Sequence, residues 1–477
     1  MKLHLATIIF CSIFTKVYPE IIFQAPTSLM ETFGGPSCVI AADMDNDGDQ
    51  DIVAAFSVEK IIAWTENTDG NGDFQFNHIV SADVSYANSI AAADLDSDGD
   101  MDILSASRED NMVAWYENKN GKGQFGAQQR IIDKYCDALD VSPGDFDGDG
   151  DTDVLAVYHY DPKDIVWFEN SDGAGTFVQR QELGTTYWVG YNGRAYDFDM
   201  DGDLDVVATI SSRNLRIFLV WFENIDGAGQ FSSEKVLFEN CERAFDIADF
   251  DGNAIDDILF ANEDRIYLLK RDADFSLMEP ELIYDYPYSG WSAYTLYGVD
   301  LDNDLDMDVA AAFWHDNSFI WLENFGQAPF SDTHTILNSK NSSIALYPAD
   351  FNADGFIDLT MGAYLENVQK SGLYWCKNLG KSEDNRDSTV TSSVLFQNYP
   401  NPLISETTFS YQIAATELVS LDIYNVRGQK VTTLFHSFQD EGRYSITWQP
   451  ETISNGLYFC RLKAGDFSDT KKILLQR

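Results

Sequence analysis

Short apolar segments separated by acidic loops recur along most of this chain, and their pattern predicts β-strands rather than helices. In the second of these units, the apolar segments cover residues 89–93, 103–107, 113–118 and 125–132. Runs of this length, rich in β-branched and aromatic residues and bounded by Gly, Asn and Asp, are typical of strands. The unit is therefore predicted to be a four-stranded antiparallel meander with an acidic loop between its first two strands.

The same unit recurs seven times at a nearly constant interval. The acidic loops are 50 to 52 residues apart and begin at Asp43, Asp94, Asp145, Asp197, Asp249, Asp300 and Asp350. In five units the third strand carries the motif Trp-x-Glu-Asn, which begins at Trp64, Trp115, Trp167, Trp221 and Trp321. A Trp at a fixed strand position is expected to pack between neighbouring sheets, although sugar stacking is the alternative.

Units of about 50 residues cannot bury both faces of a sheet alone, so they must stack on one another. Seven of them predict an all-β chain with a closed seven-bladed β-propeller. The last unit lacks a fourth strand after residues 373–378. Residues 21–24 resemble the fourth strand of unit one, so the N-terminal segment is expected to complete blade seven and lock the ring. Blade five has residues 266–270 in place of the Trp motif, so its packing is expected to differ.

Carboxylates stand at positions one, three, five and nine of a typical acidic loop, with Gly at position six. Four carboxylates within nine residues repel one another unless a cation collects them, and hard oxygen ligands on a flexible loop favour calcium. The backbone carbonyl at position seven is expected to be a further ligand. A merely solvated acidic turn is the alternative, but it gives no reason for seven copies in register.

Up to seven calcium ions are predicted, one per blade. The predicted ligands are Asp43, Asp45, Asp47 and Asp51 in loop one; Asp94, Asp96, Asp98 and Asp102 in loop two; Asp145, Asp147, Asp149 and Asp153 in loop three; Asp197, Asp199, Asp201 and Asp205 in loop four; Asp249, Asp251, Asn253 and Asp257 in loop five; Asp300, Asp302, Asp304 and Asp308 in loop six; and Asp350, Asn352, Asp354 and Asp358 in loop seven. Loops five and six replace Gly with Ala254 and Leu305, and Asn352 dilutes the charge of loop seven. These three loops are expected to bind weakly or to hold no metal.

Composition indicates a large exported protein. The chain has 477 residues, 44% of them hydrophobic, and a formal net charge of −47, which disfavours binding to nucleic acid or to anionic lipid headgroups. The apolar run that ends at Phe14 is too short to span a bilayer and predicts a signal peptide over residues 1–19. No later run approaches transmembrane length. The cysteines left after processing are odd in number, so no disulfide framework is implied.

The propeller is assigned to residues 20–380, and a polar linker, residues 381–393, separates it from a second unit. Residues 394–477 contain short alternating segments, such as 419–425, and a hairpin signal at 426–431. About seven strands predict a small immunoglobulin-like β-sandwich.

The repeats resemble FG-GAP or VCBS repeats, the calcium-bearing blades also found in the heads of integrin α-subunits, over about residues 21–380. The resemblance implies the propeller and calcium but leaves function open, since the family includes adhesins, lectins and accessory domains of enzymes. The second unit opens with Asn398-Tyr399-Pro400-Asn401-Pro402 and ends with Lys471-Lys472-Ile473-Leu474. It resembles the type A C-terminal sorting domain of the type IX secretion system of Bacteroidota. That implies contact with the secretion machinery, export across the outer membrane, and release or attachment at the cell surface. A second binding module of immunoglobulin type is the alternative.

The acidic loops and the Gly-x-Gly turns are predicted to share one rim of the ring, which leaves the opposite rim as the ligand face. The predicted ligand-binding residues there are Tyr187, Trp188, Tyr191, Tyr288, Trp291, Trp314 and His315. Exposed aromatic rings suit sugar faces or protein hot spots, so a noncatalytic protein that binds a glycan or a protein in adhesion or nutrient capture is expected. A calcium-dependent polysaccharide-degrading enzyme of lyase type is the alternative, with His159 near Asp161 and His315 near Asp316 as its candidate pairs. No nucleophile, base and orienter are recognisable together in the sequence.

Overall fold

The computed structural model describes residues 21–132, 137–159, 165–184, 189–212, 216–262, 265–272, 276–285, 293–313, 318–324, 326, 330, 332–338, 345–365, 370–381, 393–395, 407–439, 442–448, 450, 453, 456–465 and 467–475. Throughout these ranges the regular elements are β-strands. Within them, no helix has the length and the apolar character needed to cross a bilayer.

The chain forms seven four-stranded antiparallel sheets, which are the predicted propeller blades. It begins with β1 (Ile21–Phe23) and β2 (Thr27–Thr32). Blades one to three contain β3 (Cys38–Ala42), β4 (Asp51–Phe56), β5 (Ile61–Asn67) and β6 (Phe74–Ser81); β7 (Ala87–Ala93), β8 (Asp102–Ser107), β9 (Met112–Tyr116) and β10 (Gln129–Ile132); and β11 (Ala138–Gly144), β12 (Asp153–Tyr158), β13 (Ile165–Asn170) and β14 (Phe177–Leu183). The second strands β4, β8 and β12 are buried at every residue, which explains why, after the initial Asp, their sequences are mostly small or apolar and do not alternate with charged residues.

The remaining blades repeat this order. Blades four to six contain β15 (Val189–Tyr196), β16 (Asp205–Ser211), β17 (Ile217–Phe222) and β18 (Lys235–Glu239); β19 (Phe245–Ala248), β20 (Asp257–Asn262), β21 (Arg265–Leu269) and β22 (Glu281–Asp285); and β23 (Ala293–Val299), β24 (Asp308–Phe313), β25 (Ser318–Glu323) and β26 (Asp332–Asn338). Blade seven contains β27 (Leu346–Ala349), β28 (Asp358–Leu365) and β29 (Lys370–Cys376), and a short strand, β30 (Asn378–Lys381), follows.

The N-terminal segment completes blade seven, as predicted. Strand β2 pairs antiparallel with β29 and is the fourth strand of that sheet. The predicted bounds of this strand, residues 21–24, cover only β1, which pairs with β30 and not with β29. In β1, Phe23 lies opposite Asn378, as Phe74 lies opposite Asn67 in blade one. The reason is that Phe23 packs into the core between blades six and seven, while the more polar β2 forms the exposed edge.

The third-strand Trp side chains pack between blades, as predicted. Trp64 is 2% exposed, and a Cβ built on Gly123 of the next blade would lie 2.0 Å from its ring. Gly175 approaches Trp115 in the same way, at 2.3 Å. Both glycines have positive φ, so no other residue fits these turns without strain.

A ring of side-chain hydrogen bonds joins each blade to the one before it. Asn118 Nδ2 of blade two donates to the Met44 carbonyl in the acidic loop of blade one, at 2.9 Å. Equivalent bonds run from Asn170 to Leu95, from Asn224 to Phe146, from Asn324 to Phe250, from Asn378 to Leu301, and from Asn67 to Phe351, the last of which closes the ring between blades one and seven. Blade five differs, as expected: Arg271 replaces the Asn and donates from Nη1 to the Phe198 carbonyl, and Leu268 lies at the Trp position.

The C-terminal strands are β31 (Val394–Leu395), β32 (Thr407–Ile413), β33 (Glu417–Asn425), β34 (Lys430–Gln439), β35 (Gly442–Trp448), β36 (Gly456–Ala464) and β37 (Phe467–Leu475). They form a three-stranded sheet, β31-β32-β35, and a four-stranded sheet, β34-β33-β36-β37. Side chains from both sheets, including Phe409, Leu421 and Leu462, share one hydrophobic core. This is the small β-sandwich that the sequence predicts.

Candidate functional site: acidic loops and channel mouth

Each acidic loop is held by its own first carboxylate. Asp43 accepts the backbone N–H groups of Asp47 at 3.2 Å and of Gly48 at 3.0 Å. All seven loops have left-handed residues at positions four and six, with φ of 59° at Asn46 and 95° at Gly48 in loop one. Loops five and six keep this conformation although Gly is replaced, with φ of 66° at Ala254 and 76° at Leu305. The two substitutions therefore preserve the loop at a steric cost.

The carboxylate at position nine ties each loop to the third strand. Asp51 is fully buried and accepts the backbone N–H groups of Met44 at 2.9 Å and of Asn67 at 2.8 Å. Burial raises the pKa of Asp51 to about 7, and the carboxylates of Asp45 and Asp47 add to that rise. A positive charge among these groups would reverse the effect.

The predicted ligands converge in the first four blades. Positions one, three and nine bring carboxylate oxygens within 4.8 Å of one another in blades one to three, and positions one, three and five do so in blade four. In each of these blades the position-three carboxylate has one oxygen that is shielded from solvent and has no hydrogen-bond partner: Asp45, Asp96, Asp147 and Asp199. Orphaned anionic oxygens that face other carboxylates fit a hard divalent cation.

The third-strand Glu is part of these clusters, although the sequence prediction left it out. Asp147, Asp149 and Glu169 form one group within 4.8 Å. Glu117 likewise raises the pKa of Asp96, after burial and Asp98. The signal was present in the sequence, because this Glu recurs in every copy of Trp-x-Glu-Asn.

Loops seven and five have basic or amide side chains at positions where the other blades have carboxylates. In blade seven Lys377 replaces the third-strand Glu, and its ammonium lies 3.0 Å from Asp354. Asn352 Nδ2 donates to Asp358 at 2.7 Å, so an N–H group points where a cation would need an oxygen. In blade five Lys270 occupies the Glu position, and Asn253 at position five donates to a backbone carbonyl.

The two rims of the propeller are divided as predicted. On the loop rim, a Cβ on Gly70 of the Gly-x-Gly turn would lie 2.4 Å from Asp49 of the acidic loop. On the opposite rim, turns between second and third strands bond to the connections between blades. The His159 N–H, for example, donates to the Asp137 carbonyl at 3.0 Å.

A central cavity of about 380 Å³ is lined by the first strands of blades one to six, and Tyr191 lies among its lining residues. Tyr191 is the predicted ligand residue that the structure describes; Tyr187, Trp188, Tyr288, Trp291, Trp314 and His315 fall outside the described residues. The Arg243 guanidinium lies 4.5 Å from the Tyr191 ring centroid, and the His159 ring lies at 5.4 Å.

Of the four residues in the candidate catalytic pairs, the structure describes His159. Asp161, His315 and Asp316 fall outside the described residues, and the carboxylate found beside His159 is instead Asp137, at 3.7 Å. Burial, and then Arg243 and Arg108, lower the pKa of His159.

Comparison with known families agrees with this architecture. The FG-GAP-like repeat matches residues 43–105, 94–156, 145–208 and 300–360, and the secretion system C-terminal sorting domain matches residues 397–476. The chain contains FG-GAP-like repeats and a type IX sorting domain. The FG-GAP-like matches leave out residues 209–299, which include blade five with its Arg271 substitution. The sorting domain indicates export from a Bacteroidota-type bacterium.

No curated protein matches the chain. Among solved structures, an Agrocybe aegerita lectin that recognises non-reducing terminal N-acetylglucosamine is 17% identical, with 65% of this chain and 81% of that chain covered and a TM-score of 0.45. PorZ, a surface component of the type IX secretion system of Porphyromonas gingivalis, is 13% identical, with 90% and 58% covered and a TM-score of 0.44. At these values the likenesses do not extend to function.

Proposed function

We propose that this FG-GAP-repeat protein is an exported, calcium-stabilised propeller that binds a glycan at the cell surface, in adhesion or nutrient capture. The proposal rests on the side chains that line the mouth of the central cavity, on the rim opposite the acidic loops. Tyr191, Arg243 and Tyr294 come from three consecutive blades and all line this cavity. Aromatic rings beside hydrogen-bond donors at the edge of a cavity suit a sugar ring.

Calcium is proposed for five of the seven loops, those of blades one to four and blade six. These loops combine carboxylates at positions one, three, five and nine with a third-strand Glu. Bound calcium would neutralise the carboxylates and fix the loops. Loops five and seven are assigned no ion, because Lys270, Lys377 and two Asn side chains take the place of ligands.

The domain boundaries follow the same proposal. Residues 1–19 act as the signal peptide, residues 20–380 form the propeller, residues 381–393 are the linker, and residues 394–477 form the sorting domain. The sorting-domain match over residues 397–476 supports the last boundary.

Retention of the full chain on immobilised polysaccharides, measured in calcium, tests the ligand face. Tyr191→Ala is expected to lower retention about fivefold or more, because loss of an aromatic contact removes about 1 kcal/mol or more. Phe438→Ala is the matched control, since Phe438 is 71% exposed on the C-terminal sandwich. Equal retention of wild type and Tyr191→Ala would assign the ligand to another surface. If the chain is retained by no polysaccharide but by a protein of the same cell surface, the ligand is a protein.

A polysaccharide lyase is the second candidate, and His159 is the observation that favours it. Burial and the nearby Arg243 and Arg108 lower its pKa and so favour the neutral imidazole, as a general base requires, and Tyr191 lies beside it. Chromatography of the same polysaccharides after incubation would show shortened products with the wild type and none with His159→Gln.

A further inference from the structure

Cationic side chains gather at one place in a strongly acidic protein. The chain has 31 Lys and Arg residues against 78 Asp and Glu residues, so a random patch of its surface is negative. Arg243 and Arg108 nevertheless both lie close enough to His159 to lower its pKa, and both act on Tyr294 as well. Arg243 and Tyr294 line the central cavity, at its end away from the acidic loops.

The repeat explains how these side chains come together. Tyr191, Arg243 and Tyr294 each stand six residues before the first Asp of their own acidic loop. They therefore occupy the same position in blades four, five and six and lie side by side around the central cavity. In β15 the ladder pairs Gly190 and Asn192 with adjacent residues of β16, so that Tyr191 is an extra, bulged residue. Tyr294 is bulged in the same way in β23, and such bulges re-aim side chains at functional sites.

Arg243 differs from Arg194 and Arg108 in having no carboxylate partner among the residues that the structure describes. The deeper Arg194 forms an ion pair with Asp246, and Arg108 lies 3.3 Å from Asp137. Arg243 is exposed and stacks on the Tyr191 ring, and across the described part of the chain no carboxylate lies within 4.0 Å of its guanidinium. A guanidinium stacked by its face directs the N–H groups of its edge outward in one plane, and besides the bond between Arg243 and the Tyr294 side chain this edge can donate to a ligand.

We propose that the mouth of the central cavity binds an acidic sugar, whose carboxylate or sulfate is held by Arg243 while the sugar ring packs beside Tyr191 and Tyr294. The cavity, at about 380 Å³, lies within the range of about 300 to 1,000 Å³ that is usual for ligand pockets. The overall negative charge does not prevent this, because charges more than about 8 Å away are largely screened at physiological salt. The proposal rests on the proposed function and adds the chemical class of its ligand.

The test measures binding of the full chain, in calcium, to oligosaccharides of hyaluronan, glucuronoxylan and polygalacturonate, each paired with its carboxyl-reduced form. Dextran sulfate paired with dextran distinguishes sulfate from carboxylate as the anion. Binding to an acidic member and not to its neutral partner is expected. Arg243→Gln should weaken that binding about tenfold or more, since hydrogen bonds to charged groups contribute more than neutral ones. Arg243→Lys should lose less, because it keeps the charge but not the fork.

Arg265→Gln is the matched control. Arg265 is also partly exposed, at 42% of its side chain, but it begins β21 and pairs with Asp285 at 3.0 Å instead of lining the cavity. Equal binding to an acidic sugar and to its neutral partner, or full binding by Arg243→Gln, would overturn the inference while leaving glycan binding in place. A chain that binds neither acidic nor neutral sugars contradicts the proposed function itself.

Discussion

Removing calcium is expected to lower the melting temperature of the folded chain by about 7 to 15 °C. The physical reason lies in the first loops, where carboxylates of three different positions stand within 4.8 Å of one another. Without a cation, burial and mutual repulsion penalise the charged forms, and the pKa of Asp102 rises to about 7. Since calcium is expected to bind the assembled loop and not the unfolded chain, its binding free energy should add to the free energy of unfolding.

The magnitude follows from the five loops that fit the ion. Extracellular calcium modules bind with Kd of about 10⁻⁴ to 10⁻³ M, so about 5 mM calcium adds about 1 to 2 kcal/mol per loop. Five loops add about 5 to 10 kcal/mol. The entropy of unfolding is about 0.7 kcal/mol/K for a propeller of about 350 residues, and the ratio gives the expected shift.

Differential scanning calorimetry in calcium and in chelator measures this shift, and native mass spectrometry counts the ions. Asp96→Asn should remove about one fifth of the shift, because it takes a carboxylate from one of five loops. Glu109→Gln, an exposed acid on the opposite rim, is the control and should remove none. Equal melting temperatures in calcium and in chelator, or an equal shift with magnesium, would refute the assignment of calcium to these loops.

Three further outcomes are expected. Asn170→Ala should cost about 1 to 3 kcal/mol in the free energy of unfolding, measured with denaturant, since it leaves a buried carbonyl of blade two without its donor. As the pH falls from about 8 to about 5, the calcium-free fold should gain stability, because burial holds the pKa of Asp102 near 7 whereas the unfolded carboxyl binds its proton only near pH 4. Calcium must displace that proton from the folded loop. The calcium-induced shift in melting temperature should therefore shrink over the same pH range. Lys377→Glu combined with Asn352→Asp should add one calcium ion to the count by mass spectrometry, whereas either change alone should not.

The sequence predicts the ring and its loops because their determinants are local and repeated. The interval between loops, the Gly at position six and the third-strand Trp each recur in most of the seven units, so chance does not explain their pattern. Closure by the N-terminal segment is predicted from a missing strand, yet its bounds were misplaced. The strongest apolar signal, at residues 21–23, belongs to a contact between blades, while β2 carries a weak pattern because one of its edges faces solvent.

The mouth of the central cavity is harder to predict because its residues are not repeated from blade to blade in the way that the loop residues are. Arg243 lies more than 50 residues from Tyr191 and Tyr294, and only the closed ring brings the three side chains together. Aligning the repeats on their first Asp does place all three in one column. A prediction that selects aromatic residues alone finds Tyr191 and misses Arg243, since nothing in a single repeat indicates that its guanidinium stacks on the Tyr191 ring.

Hydrogen bonds join the acidic loops to the seams between blades, where each blade contacts the next. Asp102 accepts the N–H of Asn118 at 2.7 Å, and the Asn118 amide donates to the Met44 carbonyl in the loop of the preceding blade. Any displacement of one loop therefore disturbs the seam to its neighbour, and the series continues around the ring to the bond from Asn67 to Phe351. Because no blade has a free end, calcium bound in one loop stabilises contacts on both of its sides. The blades are expected to unfold in a single calorimetric transition, with equal calorimetric and van't Hoff enthalpies for the propeller. Separate transitions for individual blades would mean that the seams do not transmit the effect of the loops.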